Sequence, residues 1–541
     1  MKDFATRRSA DQQRRTLAAL AATPGWAAVC AARDDIDDHV VAAILEAAGA
    51  LTDEVLAPLD RVADQQGCRI GAGRVQVPQA YHAAFRAVAE GGWMGLDLPQ
   101  DFGGSGLPIT VQAAAGQIFD GGCPAFNMVT GASRAGAVLL AERAPADVAA
   151  LWVPDLIAGR RSTTICISEP GAGSDVGRIS TRAVQGEDGV WRVTGQKIWI
   201  SFGDHDLTPV IGHCLLARTG EGAGTRGLSL FLVPSRREDG SENGVTALRL
   251  EEKMGLHGSP TCVMEFAGAE AVLLGEPERG LVQLFTMIEL MRLQTGCQGL
   301  GAASRACDIA ESYAEERLQG GAPTEPPVAI ARHPDVRRQL GAMRGATEVL
   351  RVAVLEIACA MDLARQPAED DAAALVAYLL PLIKAFGAET GFDVVNAGIQ
   401  VLGGAGYTAE WPLEQMLRDS RVLAIYEGTT GMQGIDFLER QLIRNRAGFD
   451  AFIRRAGAGG EGDGAVVIAR FAALADVLLS CPDADKRLMA ADDWLRAGWL
   501  ALTCWLAPRV ASYDAPARDH AMAQMKARFA VHEAAVHAAL A

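Results

Sequence analysis

Leu228-Ser-Leu-Phe-Leu232 sets leucine at every second position around Ser229 and Phe231, and Cys262-Val-Met-Glu-Phe266 does the same with Cys262, Met264 and Phe266 around Val263 and Glu265. Successive side chains of a strand point to opposite faces, so a repeat of two marks β structure. Both runs lie in a stretch from about Thr163 to Leu274 made of short strand-like segments punctuated by Gly, Asp and Asn. Before it, from about Ile36 to Ala158, Val40, Val41, Ile44, Leu45 and Ala48 recur at the spacing of one helix face, and breaks such as Asp101-Phe-Gly-Gly-Ser-Gly-Leu-Pro108 separate the helices. After it, helical spacing returns at about Leu281, with Leu293, Cys297, Leu300, Cys307, Ala310 and Ala314 three, four or seven apart. The fold class is therefore mainly α with an inserted β domain.

This order argues against a dinucleotide-binding fold, which alternates strand and helix from its start. Gly171-Ala-Gly173-Ser-Asp-Val-Gly177 has the wrong spacing for the fingerprint of that fold and follows Pro170 rather than a buried strand. Long helices run on to about Arg446, and the Gly-rich run Ala456 to Gly464 reads as a flexible linker to a last Ala-rich helical segment, a separate appendage. The expected organisation is an N-terminal extension (1–35), a helical domain (36–162), a β-barrel domain (163–274), a helical bundle (275–446), a linker (447–465) and a helical C-terminal extension (466–541).

Composition narrows the function. The chain has 541 residues, 49% hydrophobic and 21% charged, which is ordinary for a globular protein, and its length suits several packed units. A net charge of -16 opposes nucleic-acid binding, which needs a positive field. The N-terminus has basic residues with no apolar run behind them, so a cytoplasmic protein is expected. The longest apolar stretch, Ala372 to Ile383, is broken by Pro381 and followed by Lys384, so no membrane span is expected. Eleven cysteines without a C-x-x-C pair read as reduced core residues. Gly203-Asp-His-Asp206 offers three metal-ligand types, but no partner His cluster follows and no metal is expected. His532 and His537, five apart, read as surface residues.

Chemistry concentrates in four stretches. Cys166-Ile-Ser-Glu-Pro-Gly-Ala-Gly-Ser-Asp175 is a run of small residues whose backbone N–H groups a flat or anionic ligand could approach closely. Gly195-Gln-Lys-Ile-Trp-Ile-Ser-Phe-Gly203 offers the flat ring of Trp199 and the hydroxyl of Ser201. Gln400-Val-Leu-Gly-Gly-Ala-Gly-Tyr407 is a Gly-rich turn, and Arg418-Asp-Ser-Arg-Val-Leu-Ala-Ile-Tyr-Glu-Gly-Thr-Thr430 sets the carboxylate of Glu427 before glycine. Arg292 and Arg317, 25 positions apart on what reads as one helix, return to nearly one face about 37 Å apart.

Together these stretches resemble the acyl-CoA dehydrogenase family, over about Ile36 to Arg446. Val55-Leu-Ala-Pro-Leu-Asp-Arg-Val62, His333-Pro-Asp-Val-Arg-Arg338 and the C-terminal extension are similar to its longer bacterial branch, which includes 3-methylmercaptopropanoyl-CoA dehydrogenase. The resemblance implies an α-domain, a β-barrel and a four-helix bundle, with FAD as cofactor. It implies FAD contacts from Cys166, Ile167, Ser168, Gly173, Ser174, Trp199, Ile200, Ser201 and Thr429, and contacts to a neighbouring subunit's FAD from Arg317, Gln400, Gly403 and Gly404. It implies substrate contacts from Ser174, Glu289, Arg292 and Gly428. Ser168 and Ser201 stand where the family more often has Thr, and Glu289 where many relatives have Asp.

The implied reaction is α,β-dehydrogenation of an acyl-CoA to a trans-2-enoyl-CoA, with Glu427 taking the α proton and flavin N5 the β hydride. A carboxylate that substrate binding strips of water is expected to have a raised pKa. An electron-transferring flavoprotein is the implied electron acceptor, and composite FAD sites imply a homodimer or homotetramer. An acyl-CoA oxidase or flavin monooxygenase on the same fold, and a flavin-bearing DNA-associated protein, are the alternative readings.

Overall fold

The computed structural model describes residues 8–71, 73–366, 370–458 and 462–541. Two compact units emerge, each assembled from discontinuous pieces of chain. One contains Glu54–Leu107 and Gly122–Met291; the other contains Met1–Asp53, Pro108–Gly121 and Arg292–Ala541. The expected helical segment 36–162 and the expected bundle 275–446 are thus each divided between the units.

The first unit is built on strands β1 (Arg161–Cys166), β2 (Arg182–Gln185), β3 (Trp191–Ser201), β4 (Val210–Arg218), β5 (Leu228–Pro234), β6 (Val245–Leu250) and β7 (Thr261–Leu274). β4 pairs in parallel with β1 and β2; β2 pairs with β3, β3 with β7, β7 with β5, and β5 back with β4, which closes the sheet into a barrel, with β6 added on β7. Cys262, Met264 and Phe266 enter the barrel core with Val193, Ile200, Leu215, Phe231 and Val233. The leucines at 228, 230 and 232 are buried on the opposite side of β5 from Phe231, so both faces of that strand are covered. Helix Pro124–Arg143 lies against β1, where Thr163 Oγ1 donates to the Ala132 carbonyl at 3.0 Å.

The second unit is helical. Its long helices are Pro334–Leu363, Asp370–Leu402 and the greater part of Gly280–Glu316, on which Leu293, Cys297, Leu300, Cys307, Ala310 and Ala314 are all buried. Helices 280–316 and 370–402 approach through glycine: a Cβ on Gly387 would stand 2.7 Å from Gly296 Cα, and one on Gly391 would stand 2.8 Å from Gly299 Cα. That contact brings Arg292 and Lys384, each about one turn away, toward a common region.

Among the described residues one helix, Asp371–Tyr407, is long and apolar enough to cross a membrane, and 78% of its apolar window is buried in the protein. Toward the N-terminus, the helix Arg8–Ala21 joins the same core, where buried Arg351 donates to Gln12 at 2.6 Å and to Thr16 at 3.2 Å.

The C-terminal segment departs from expectation. Where a linker was expected, helices run over Ala447–Gly457 and Gly462–Ser480, and 459–461 lie outside the described residues. Nor is the extension a separate appendage. Trp494, wholly buried, stacks on Phe471 at 4.3 Å and on Phe437 at 5.6 Å, and Tyr378 packs on Phe437 at 4.7 Å. Arg509 pairs with Glu356 at 2.7 Å and Arg496 with Glu389 at 2.9 Å. Glycine content suggested flexibility, but the apolar residues Phe449 and Phe452 find a core to enter, and burial dominates local propensity.

Candidate active site

The helical unit holds Glu427 in an unusual backbone. A 3₁₀ turn over Arg421–Ala424 leads into Glu427 with φ 53° and Gly428 with φ 89°, before helix Thr430–Ile435. A left-handed residue with a side chain costs on the order of 1–2 kcal/mol and persists only when its surroundings dictate it. Here the surroundings act on the carbonyls. Lys384 Nζ donates to the Gly428 carbonyl at 2.5 Å, and Gln433 Nε2 donates to the carbonyls of Glu427 at 3.1 Å and Gly428 at 3.2 Å. Lys384 and Gln433 have no exposed surface.

Burial raises the Glu427 carboxyl above the usual carboxylate range, against the charges of Lys384 and Arg292, which draw it down. Burial likewise lowers the Lys384 ammonium to about 8, with the Glu427 charge opposing that fall. Arg292 Nη1 meets Asp436 Oδ2 at 3.0 Å. Arg292 Nε, Asp436 Oδ1 and Gln433 Oε1 are buried without a hydrogen-bond partner among the described residues. The neighbouring Tyr426 hydroxyl donates to Gln298 Oε1. A half-buried carboxylate with raised proton affinity, facing two cations and fixed by its backbone, has the attributes of a general base.

Of the residues expected at this site, the structure brings Arg292 and Glu427 together, with Gly428 adjoining. Thr429 caps the following helix, its Oγ1 accepting from Met432 N at 3.3 Å. Glu289 is half-buried one turn before Arg292 on the same helix. Arg317 stands one residue beyond the end of helix 280–316 and is exposed, with Nη2 donating to Gln319 at 3.2 Å. Gln400, Gly403 and Gly404 are exposed near the end of helix 370–402, roughly 24 Å along it from Lys384. The ends of these two helices share one apolar cluster that includes Ala310, Ala314, Val401 and Leu402. Nothing lies within 4 Å of a Cβ built on Gly403 or Gly404.

In the β unit, the Cys166–Ser174 stretch leaves β1 and is tied to β3. Ile198 N donates to the Ser168 carbonyl at 2.9 Å, and Lys197 Nζ donates to the Ile167 carbonyl at 3.0 Å. Glu169 and Ala172 exchange two backbone hydrogen bonds of 3.0 Å, making a pinned turn. Beyond it Gly173 and Ser174 are exposed, with open space around a Cβ on Gly171 or Gly173.

Between Lys197 and Ile200 the register of β3 against β7 slips, and Trp199, at φ 63°, turns outward with 59% of its surface exposed. Such bulges re-aim side chains. Ser201 is half-buried. The side chains of Cys166 and Ile200 lie in the barrel core, so of these two residues only the backbones are free to meet a ligand.

An exposed aromatic face, free hydroxyls and glycines with open space fit a flat, phosphate-bearing cofactor such as FAD.

Asp204, His205 and Asp206 hold protein instead. Asp204 pairs with Arg74 at 3.0 Å, His205 Nε2 meets Ser162 Oγ at 2.9 Å, and Asp206 accepts from Val77 N at 3.1 Å. His532, expected at the surface, is half-buried and pairs with Asp493 at 2.8 Å. Sequence reading missed Lys384, Gln433 and Asp436. A usable signal for Lys384 was its isolation as the one charged residue in Ala372–Gly387.

One unit with a closed β barrel whose rim is open to a flat cofactor, and one helical unit with a proton-accepting carboxylate held near two cations, fit the class of flavin-dependent dehydrogenases. Models of the N-terminal, middle and C-terminal acyl-CoA dehydrogenase domains match residues 41–160, 164–269 and 278–442. A 3-methylmercaptopropionyl-CoA dehydrogenase of Ruegeria pomeroyi is 37% identical over 423 residues, covering 76% of this chain and 72% of that protein. A broad-specificity linear acyl-CoA dehydrogenase of Mycobacterium tuberculosis is 34% identical over 397 residues, covering 69% of this chain and 64% of that protein. The structure of an acyl-CoA dehydrogenase from Bacillus anthracis complexed with FAD matches with a TM-score of 0.77 at 20% identity, covering 94% of this chain and 89% of that one. The chain belongs to the acyl-CoA dehydrogenase family, FAD-dependent oxidoreductases acting on acyl-CoA thioesters.

Proposed function

We propose that this chain converts an acyl-CoA to its trans-2-enoyl-CoA, with Glu427 removing the α proton. The observation that supports this most is the backbone of Glu427, held left-handed by Lys384 and Gln433 through the carbonyls on either side of its link to Gly428. Fixing the backbone leaves the carboxylate free to work. Its raised proton affinity brings the base nearer the weak α-carbon acid, and exclusion of water by bound thioester strengthens the effect. The Glu427 N–H serves as donor to the thioester carbonyl oxygen as enolate-like charge builds there.

When bound, FAD supplies the acceptor for the β hydrogen, which leaves as hydride. Ser168, Ser174, Trp199 and Ser201, with the backbones of Cys166, Ile167, Gly173 and Ile200, would hold it, and Thr429 is a further proposed FAD contact. Arg317, Gln400, Gly403 and Gly404 would meet the FAD of a second copy, giving a homodimer or homotetramer. Arg292 would border the thioester, with Gly428, Glu289 and Ser174 as further substrate contacts. Electron-transferring flavoprotein as acceptor and a cytoplasmic location complete the reading.

The test is an anaerobic titration of purified protein with straight-chain, branched and sulfur-containing acyl-CoAs. Bleaching of the flavin band near roughly 450 nm is expected with at least one of them. Glu427→Gln is expected to keep its flavin and lose that bleaching; near-normal reduction in the variant would remove Glu427 as the base.

A further inference from the structure

We propose that Lys384 is a positioning residue for Glu427, gripping the Gly428 carbonyl through its ammonium and presenting its charge to the Glu427 carboxylate. The inference rests on the reading of Glu427 as base and assigns the residue that orients it.

Lys384 sits in a helix where Leu382, Ile383 and Ala385 are wholly buried and Phe386 nearly so, and it too has no exposed surface. A buried ammonium is costly unless paired, and a methionine would fill the same space without that cost. Among the described residues no carboxylate lies within ion-pair distance of it. Its hydrogen bond goes instead to the Gly428 carbonyl, at 2.5 Å, one peptide beyond the base.

The other groups around Glu427 differ in kind. Arg292, on helix 280–316, is paired with Asp436 at 3.0 Å, so much of its charge is met locally. Tyr426 is half-buried, with its hydroxyl engaged with Gln298. Glu389, further along the helix of Lys384, is held by Arg496 at 2.9 Å. Lys384 is therefore the cation near the base whose charge no neighbouring carboxylate neutralises by direct contact. Burial pushes the Glu427 carboxyl up, and the Lys384 charge is the first of two influences that bring it back. Removing that charge is expected to raise the pH at which Glu427 becomes a base.

Lys384→Met and Lys384→Gln test this in the holoenzyme, using the acyl-CoA that bleaches the flavin fastest. The Met variant is expected to keep its flavin and its thermal midpoint and to slow flavin reduction at pH 7 by on the order of 10- to 100-fold. The acid limb of its rate profile is expected to move up by about one pH unit. Gln retains a donor for the Gly428 carbonyl without the charge, so it is expected to recover part of the rate and none of the shift in the acid limb.

An infrared difference titration of the Glu427 carboxyl, with Glu427→Gln as blank, reads the same displacement without turnover. A Met variant with unchanged rate and acid limb overturns the assignment. So does a slowed variant whose acid limb and carboxyl titration stay in place, because a structural residue would behave that way. Should Met cost the protein its flavin, the Gln variant decides by the same two readouts. If Glu427→Gln itself still bleaches, the base is wrong; if it is inert and both Lys384 variants are normal, only the role of Lys384 falls.

Discussion

Each unit of the molecule buries a lysine beside a glutamate, and the two pairs end in opposite states. In the β unit, Lys197 Nζ and Glu169 Oε1 are 2.8 Å apart, and the carboxylate also accepts from Ser180 N at 2.7 Å and Thr181 N at 3.1 Å. Burial alone would raise Glu169, but the Lys197 charge and these hydrogen bonds outweigh it and hold the carboxyl at about 2. In the helical unit, Lys384 gives its hydrogen bond to a backbone carbonyl, the Glu427 carboxylate is left without direct contact, and burial prevails. One pair satisfies every partner and fixes a turn; the other fixes a backbone and leaves its acid able to exchange a proton. The difference lies in where the lysine's hydrogen bond goes, not in the residue types.

The largest effect that would break this contrast is expected at Glu427. Glu427→Gln should cost on the order of 10³-fold in flavin reduction with little change in unfolding, since the removed group carries no structural hydrogen bond. Lys197→Met should do the reverse, destabilising the barrel by about 3–5 kcal/mol because it strands a buried carboxylate. Urea unfolding monitored by far-UV circular dichroism measures it. Adding Glu169→Gln to Lys197→Met should recover much of the loss, and a double variant no more stable than the single would show that the ion pair is not what the barrel needs.

Acid separates the pairs again, by a smaller margin. Glu169 has its folded value depressed, so its contribution to stability is fully present above the ordinary carboxylate value and is lost as pH falls through about 2. The urea midpoint of the wild-type protein should therefore drop more steeply below about pH 4.5 than that of the Glu169→Gln, Lys197→Met double variant.

How much of this was legible in the sequence follows the same division. The alternation at Cys262, Met264 and Phe266 gave the right strand face because β7 packs those side chains into the barrel. In β5 a similar alternation did not distinguish the core face, because both faces are covered and Phe231 and Val233 line the barrel interior. Glu427 was legible through its motif and neighbouring glycines. Lys384 was not, because Glu427 stands 43 positions further along the chain and the two meet only where the turn through Gly428 folds back onto helix 370–402. Helix formation over 447–457 was missed because the aromatic core that stabilises Phe449 and Phe452 is assembled from distant segments, Tyr378, Phe471 and Trp494 among them. Periodicity reports the face of one element, whereas satisfaction of a buried charge depends on what other elements bring to it.

The smallest expected effect is also the one that most directly opposes function to stability. Glu427 has its folded proton affinity raised, so the native state binds more protons than the unfolded chain as pH rises through the ordinary carboxylate range. Stability then falls with rising pH over that window, opposite in sign to the contribution of Glu169. Glutamine at 427 cannot ionise and escapes the loss. Between about pH 4.5 and 7, below the range where Lys384 begins to lose its proton, Glu427→Gln should grow steadily more stable relative to wild type, with the two nearly equal at the acid end. Urea midpoints at matched flavin content measure the difference. A gap that stayed constant across the window would mean that the carboxyl titrates alike in folded and unfolded protein, and would remove the electrostatic contrast between the two glutamates.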